Sequence, residues 1–327
     1  MKEHDLKLCV IIPAYNEEKE IKGVIKKIPR IIDGVDCVDI LVIDDGSSDN
    51  TVKAAKEAGA NEIISHSTNE GLGVAFRHGL EASFKRGADI IVSIDADGQF
   101  DPKDIPKLIK PILNNKADFV TTSRFLNKSL EPDMPFIKKF GNKILTKIIN
   151  IITKQNFTDT QCGFRAYSKK AALKLNTFGD FTYTQEVFIN LVEKKLRIKE
   201  IALKVIYKID RKSRVFKNPL SYAIKVIMII IRVIRDYKPL KFFGIPGLFI
   251  FSIGFLSGLF MLIRYILTSR TSPYRSLIAF SGVMLILGFL IIILALVVDM
   301  IGRQRELQEE ILYYNKLKIY YKKNEKE

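Results

Sequence analysis

The chain has 327 residues, a formal net charge of +16, three cysteines and no tryptophan. Its cysteines form neither a C-x-x-C pair nor an even framework, which excludes a disulfide-stapled secreted domain and fits a reducing compartment. The basic balance alone would suit a nucleic-acid-binding protein, but we find no nucleic-acid motif. Many of the cations flank two apolar runs, where anionic lipid headgroups account for them, so we expect no nucleic-acid partner.

The first part of the chain alternates short apolar strands with helices. The segment LCVII (Leu8–Ile12) ends at Pro13, and Asn16 is the expected N-cap of the helix that follows. The plan recurs in VDILVIDDGSSDNT, in NEIISHS with NEGLGVAFRHGLEASFKRG, and in DIIVSIDADGQ. This alternation predicts an α/β domain with a mostly parallel sheet. Ligands bind outside the carboxyl ends of such strands, where PAYNEE, DDGSSDNT and DADGQ lie.

The fourth strand runs directly into two carboxylates, Asp95 and Asp97. Residues i and i+2 of an extended chain point the same way, so the two acids share a small volume. Like charges at that distance raise each other's pKa unless a cation lies between them. A divalent cation is one interpretation and a hydrated surface turn is the other, and the spacing alone leaves both open.

Other ligand motifs fit poorly. GLGVAFRHG lacks the G-x-G-x-x-G spacing, and the chain has no G-x-x-x-x-G-K-[ST] phosphate loop. No Cys/His cluster indicates zinc. The three histidines, His4, His66 and His78, are scattered, and we expect each at the surface or at a helix cap.

Beyond about residue 215 the chain becomes strongly hydrophobic. Two uncharged runs of 22 residues, 242–263 and 277–298, are each long enough to cross a ~30 Å hydrocarbon core, and they predict a transmembrane hairpin over 242–299. Nine flanking cations against three in the linker place the N-terminal domain and both termini in the cytoplasm. Residues 217–241 read as amphipathic juxtamembrane helices, and 300–327 as a charged cytoplasmic tail.

Several segments resemble a known family when taken in order. IIPAYNEE, VIDDGSSDNT, NEGLGVAFRHG and SIDADGQFDP resemble the GT-A domain of the family 2 inverting glycosyltransferases. TTSRF, TDTQCGFRAYSKKA and DRKSR resemble its dolichyl-phosphate mannose synthase and polyprenyl-phosphate glycosyltransferase branch. The resemblance covers about residues 7–216 and implies a cytoplasmic GT-A domain over 1–216.

The resemblance also implies a reaction. A hexose, mannose or glucose, would pass from a GDP- or UDP-sugar to a polyprenyl (dolichyl-type) phosphate at a cell membrane or an ER-type membrane. A bound Mg²⁺ or Mn²⁺ would stabilise the leaving diphosphate, with Asp97, Asp95 and Gln99 as the implied ligands. The alternative role for Asp95 is a contact with the ribose side of the nucleotide. The acceptor phosphate is already ionised at neutral pH, so no strong general base is required.

The implied site residues fall into four groups. The catalytic group is Asp97, Arg124 and Arg211. The nucleotide-sugar group is Pro13, Ala14, Tyr15, Glu17, Asp44, Asp45, Asp95, Ala96, Asp97, Gln99 and Glu186. The acceptor-phosphate group is Lys138, Lys139, Arg211, Lys212 and Arg214, and the sugar pocket is Asp159, Arg165 and Gln185. A membrane-surface basic patch is the alternative for the acceptor group, and an ordinary first-turn acid is the alternative for Glu186.

Two rival functions belong to other classes. A processive polysaccharide synthase of the same superfamily would carry a Q-x-x-R-W motif, which a chain without tryptophan cannot contain. A membrane-anchored protein that binds a sugar nucleotide without turnover is the second rival. Metal-dependent turnover separates it from an enzyme. Homo-oligomerisation is compatible with either reading.

Overall fold

A computed structural model describes residues 5–176, 184–206 and 238–321, together with residues 228, 231 and 235. Contacts divide the chain into two compact units. One is an α/β domain that also includes residues 311–321, and the other extends to residue 310. The predicted juxtamembrane helices over 217–241 lie almost entirely outside the described residues.

Seven strands form a single sheet in the order β3-β2-β1-β4-β6-β5-β7. Neighbouring strands are parallel, except that β6 runs antiparallel to both β4 and β5. The predicted α/β class with a mostly parallel sheet is confirmed, whereas the antiparallel insertion of β6 was not predicted. The strands are β1 (Lys7–Ala14), β2 (Cys37–Asp44), β3 (Glu62–Ser65), β4 (Ile90–Ser93), β5 (Phe119–Ser123), β6 (Arg165–Ser168) and β7 (Ile198–Ala202).

Seven α-helices between residues 21 and 193 accompany the sheet in the described part of the chain. Leu8 to Ala14 are all buried, and consecutive residues of a strand face opposite sides, so both faces of β1 are covered. This is why the central strands read as continuous apolar runs in the sequence. The helices are α1 (Ile21–Lys27), α2 (Thr51–Glu57), α3 (Leu72–Lys85), α4 (Ile105–Leu113), α5 (Phe136–Thr153), α6 (Lys169–Lys174) and α7 (Thr184–Glu193).

The second unit contains two apolar helices, each long enough to cross a membrane. The first hairpin helix is Gly244–Thr268, and the long C-terminal helix is Arg275–Tyr320, whose residues from 311 onward belong to the α/β domain. A Cβ added at Gly254 would lie 2.6 Å from the backbone nitrogen of Leu285. Small residues of this kind let two helix backbones approach closely in lipid, where apolar burial does not drive association.

The end of the long C-terminal helix packs on the α/β domain. The Tyr321 hydroxyl donates to the Ala88 carbonyl at 2.6 Å, and the Lys169 ammonium lies 3.4 Å from the centre of the Tyr321 ring. Lys316 Nζ donates to Asn176 Oδ1 at 3.0 Å. The last turns of this helix are therefore part of the domain's own packing, which the reading of 300–327 as a charged tail did not foresee.

Candidate active site

The loops after β1 and β2 meet at the carboxyl edge of the sheet. The backbone N–H of Asn16 donates to Ser47 Oγ at 2.9 Å, and that of Glu17 donates to Thr51 Oγ1 at 2.7 Å. In return, Asn16 Oδ1 accepts from the Ser48 N–H at 2.8 Å. The expected N-cap role of Asn16 was wrong. It has a positive φ of 54° and binds the neighbouring loop, whereas α1 begins only at Ile21.

The two carboxylates at the end of β2 are buried and bind backbone. Asp44 Oδ1 accepts from the Ser47 N–H at 3.2 Å. Asp45 accepts from the N–H groups of Glu70 and Gly71, both at 2.9 Å, and contacts His66 Nδ1 at 2.8 Å. A carboxylate offers about four acceptor positions, so most of the capacity of Asp45 is used within the protein. Its predicted contact with the nucleotide stays a prediction.

The DADGQ loop follows β4 beside the loops of β1 and β2. Asp95, Asp97 and Gln99 are half-buried and Ala96 is buried, while the Gln99 N–H donates to Asp97 Oδ1 at 3.0 Å. Burial and the charge of Asp97 raise the pKa of Asp95 to about 7. Glu17 adds to this effect, so Pro13–Glu17 and the DADGQ loop share one electrostatic environment.

This donor set fits a divalent cation. Crowded carboxylate oxygens are the ligands that Mg²⁺ and Mn²⁺ prefer, and a cation would relieve the repulsion between Asp95 and Asp97. The loop is also held from outside: the Ile206 N–H donates to the Gln99 carbonyl at 2.8 Å, and Phe100 pairs with Val205.

Arg124, at the end of β5, is held by a bidentate ion pair with Asp159. Its Nε donates to Asp159 Oδ2 at 2.7 Å and its Nη2 to Oδ1 at 3.0 Å. Burial alone would raise the pKa of Asp159, but the Arg124 charge and its hydrogen bonds outweigh that effect and lower the pKa. Asp159 thus orients Arg124, a role distinct from the predicted one in the sugar pocket.

Further contacts fix Asp159 from several sides. Asn142 Nδ2 donates to Oδ1 at 3.1 Å, and the Cys162 thiol donates to Oδ2 at 3.2 Å. Burial raises the pKa of Cys162 to about 12, so the thiol stays protonated as a donor. Glu200 accepts from the Asp159 N–H at 3.0 Å. Asn142 and Glu200 were not among the predicted site residues, and Cys162 had been weighed only for disulfide chemistry.

The other predicted residues are distributed as follows. Arg165 is fully buried and donates to the carbonyls of Cys162, Thr160 and Thr184. Its guanidinium carbon lies 5.1 Å from the centre of the Phe188 ring. These described contacts stabilise the domain core. Tyr15 is exposed beside the site, and Glu186 is half-buried in the first turn of α7. Lys138 and Lys139 lie in the first turn of α5, and Lys139 forms an ion pair with Glu131.

Four members of the predicted groups lie outside the described residues: Arg211, Lys212, Arg214 and the side chain of Gln185. Their roles, like those of the other predicted site residues, stay predictions.

The fold and this edge of the sheet define a GT-A-type glycosyltransferase. The profile described as "Glycosyl transferase family 2" matches residues 9–175, and the chain belongs to that family. The resemblance read from the sequence motifs, and the assignment as an enzyme, are thereby confirmed.

Curated relatives are similar over most of the domain. The chain is 37% identical over 222 residues to the UDP-N-acetylglucosamine–dolichyl-phosphate N-acetylglucosaminyltransferase of Methanococcus voltae, covering 62% of this chain and 87% of that one. It is 30% identical over 191 residues to the dolichol-phosphate mannosyltransferase of Pyrococcus furiosus, covering 56% and 53% of the two chains.

Solved structures share the fold. Glucosyl-3-phosphoglycerate synthase from Mycobacterium tuberculosis, crystallised with Mn²⁺, UDP and phosphoglyceric acid, superposes with a TM-score of 0.54 at 21% identity. The match covers 70% of this chain and 78% of that one.

Proposed function

We propose that this glycosyltransferase moves a sugar from a nucleoside diphosphate sugar to a polyprenyl phosphate, giving a lipid-phosphate-linked sugar. One observation carries the proposal. The same chain has the Asp95–Asp97 pair and Arg124 at one edge of the sheet and also has two apolar helices long enough to cross a membrane. A long-chain lipid phosphate is the acceptor that such a combination suits. Relatives named for transfer to dolichyl phosphate support the same acceptor.

Asp95 and Asp97 would hold a Mg²⁺ or Mn²⁺ ion, which would neutralise charge on the departing diphosphate. Pro13–Glu17 and Asp44 lie where the base and ribose would bind. The charge of Arg124 partly opposes the rise in the pKa of Asp95 that burial and Asp97 cause, so Arg124 is close enough to act on groups bound there. Because Asp159 restrains it, Arg124 would meet a phosphate without first losing conformational freedom.

The site has to bind the acceptor phosphate, but it does not have to remove a proton from it. Its phosphate oxygen is ionised at neutral pH and would attack the anomeric carbon from the face opposite the leaving diphosphate, inverting that centre. Lys138 and Lys139 supply charge for the acceptor phosphate, and Arg211, Lys212 and Arg214 are the further candidates. Lysine offers no bidentate fork, so the lysines would attract the phosphate more than orient it.

The cation bias around the apolar runs would place the site on the cytoplasmic face of the membrane. The identity of the transferred sugar is determined by the transfer assay described below. Mannose and glucose were predicted, and the M. voltae relative adds N-acetylglucosamine to the donors worth offering.

The test is transfer of radiolabel by the detergent-solubilised full chain. It is given Mg²⁺ or Mn²⁺, a polyprenyl phosphate, and GDP-mannose, UDP-glucose or UDP-N-acetylglucosamine in turn. Asp97→Asn should abolish transfer, while Asp101→Asn, a substitution of an exposed N-cap acid four residues away, should not. Label entering the lipid phase from one donor supports the proposal. Donor binding without transfer to lipid would overturn the proposed acceptor, and no binding of any of the three donors would overturn the proposed donors.

A further inference from the structure

A second cluster of metal-type ligands lies behind Asp45, outside the proposed transfer site. It is formed by His66, Glu70 and His78, from the end of β3, the β3–α3 loop and α3. One ligand atom from each of these residues can be chosen so that all three lie within 4.8 Å of one another. The expectation of a surface or helix-cap position was wrong for His66, whose side chain is only 4% exposed and contacts His78 directly, while His4 lies outside the described residues.

Asp45 fixes the orientation of His66. With Asp45 Oδ1 at 2.8 Å from Nδ1, the proton of a neutral His66 ring belongs on Nδ1, and the lone pair on Nε2 points away from the carboxylate. A carboxylate behind an imidazole is the usual second-shell partner of a metal-binding histidine. Asp45 also accepts from the Glu70 N–H at 2.9 Å, so one carboxylate anchors two of the three ligand residues.

The lone pair of His66 meets His78. His66 Nε2 lies 2.8 Å from His78 Nδ1, with the two rings nearly perpendicular at 87°. Two lone pairs cannot face each other at that distance, so one proton is shared between the nitrogens. A metal ion that replaced this proton would need the nitrogens to part only to about 3.3 Å, the separation set by tetrahedral bonds of about 2.0–2.1 Å.

We propose that His66 Nε2, His78 Nδ1 and the Glu70 carboxylate form a binding site for a zinc-class divalent ion, with water completing the coordination. Two imidazoles and one carboxylate favour Zn²⁺ over Mg²⁺, which takes oxygen ligands, so the site is chemically distinct from the Asp95–Asp97 pair. The proposal does not rest on the acceptor or donor assigned above. A metal ion bound by these residues would stabilise the β3–α3 loop, which lies next to the predicted nucleotide-binding residue Asp45.

The test is metal binding by the chelator-stripped full chain in detergent, followed by zinc analysis and by Co²⁺ absorption. The same measurements on an Asp97→Asn chain exclude metal bound at the Asp95–Asp97 pair. Tetrahedral Co²⁺ absorbs visible light far more strongly than octahedral Co²⁺, so the intensity of the cobalt band reports the coordination geometry. We expect one zinc per chain and an intense cobalt band. His78→Gln and Glu70→Gln should each weaken binding about tenfold or more, the latter keeping the backbone bond to Asp45.

The matched control is Glu81→Gln, which neutralises an exposed carboxylate on the same helix as His78 and should leave binding unchanged. Absence of stoichiometric zinc from the wild-type chain would overturn the proposal and leave a histidine–histidine hydrogen bond. Equal binding by the wild-type, His78→Gln and Glu70→Gln chains would overturn it too, because the metal would then lie elsewhere.

Discussion

Gly163 is predicted to control the position of the Asp95 carboxylate. A Cβ added at Gly163 would lie 2.8 Å from both Cγ and Oδ1 of Asp95, and closer still to Oδ2. Ordinary carbon–oxygen contacts are about 3.3–3.5 Å, so Gly163→Ala would push the carboxylate away by roughly 0.5–1 Å. Asp95 is the flexible partner, because its carboxylate is the free end of a side chain whereas Gly163 is fixed in the backbone that leads into β6.

A misplacement of about 1 Å in a catalytic group costs roughly 10²-fold in rate, which corresponds to about 2.7 kcal/mol of transition-state stabilisation. We therefore expect Gly163→Ala to lower kcat for sugar transfer about 100-fold and to weaken Mn²⁺ activation, with little change in far-UV circular dichroism. The assay is initial-rate transfer at saturating donor across a Mn²⁺ titration.

The matched control is Gly23→Ala in α1, where an added Cβ would meet nothing within 4 Å. That variant should retain full activity. The reasoning would be refuted if Gly163→Ala transferred sugar within twofold of the wild-type rate at the same Mn²⁺ concentration. In that case the carboxylate would tolerate displacement, or Asp95 would not take part.

Three further outcomes are expected. Asp159→Asn should lower the free energy of unfolding by about 3 kcal/mol and remove most of the activity, because Arg124 loses its buried partner. Denaturant unfolding measures this loss. The difference in unfolding free energy between the variant and the wild type should shrink as the pH falls below 3.8, because a carboxylate of lowered pKa loses its stabilising effect there. Binding of Mn²⁺ should release about one proton at pH 6 and far fewer at pH 8.5, because metal-free Asp95 keeps its proton up to about pH 7. Calorimetry in buffers of different ionisation enthalpy measures the number of protons released. Equal release at both pH values would contradict this prediction. Gly254→Ala should lower the thermal stability of the hairpin in detergent, since its Cβ would lie 2.6 Å from a backbone nitrogen of the facing helix, whereas Gly282→Ala, with nothing within 4 Å, should not.

The sequence predicted the donor side of the fold well because its signals are local. β1, β2 and β4 are buried along most or all of their length, so each appears as an apolar run that ends in a polar loop. The Asp95–Asp97 pair follows from the two-residue period of an extended chain. Each of these inferences needs only about ten neighbouring residues.

Contacts between distant segments could not be read in this way. Asp159 and Arg124 are 35 residues apart, and their pairing depends on the position of β6, a four-residue strand without a strong apolar signal. His66 and His78 seemed scattered, because His66 directly follows strand β3 and His78 lies about two turns into helix α3. Only the packing of α3 beside β1 and β2 brings the two rings together.

The late position of β6 in the chain has a consequence for synthesis. β4 carries the carboxylate pair at its end, yet its partner β6 lies 72 to 78 residues further along. A nascent chain can pair β1, β2, β3 and β4 while one edge of β4 stays open, and an open apolar edge is prone to pair with other chains. Gly163, Asp159 and the strand that closes this edge all emerge afterwards. The enzyme is therefore most exposed to aggregation, and to losing its active site to truncation, between the translation of residues 93 and 168.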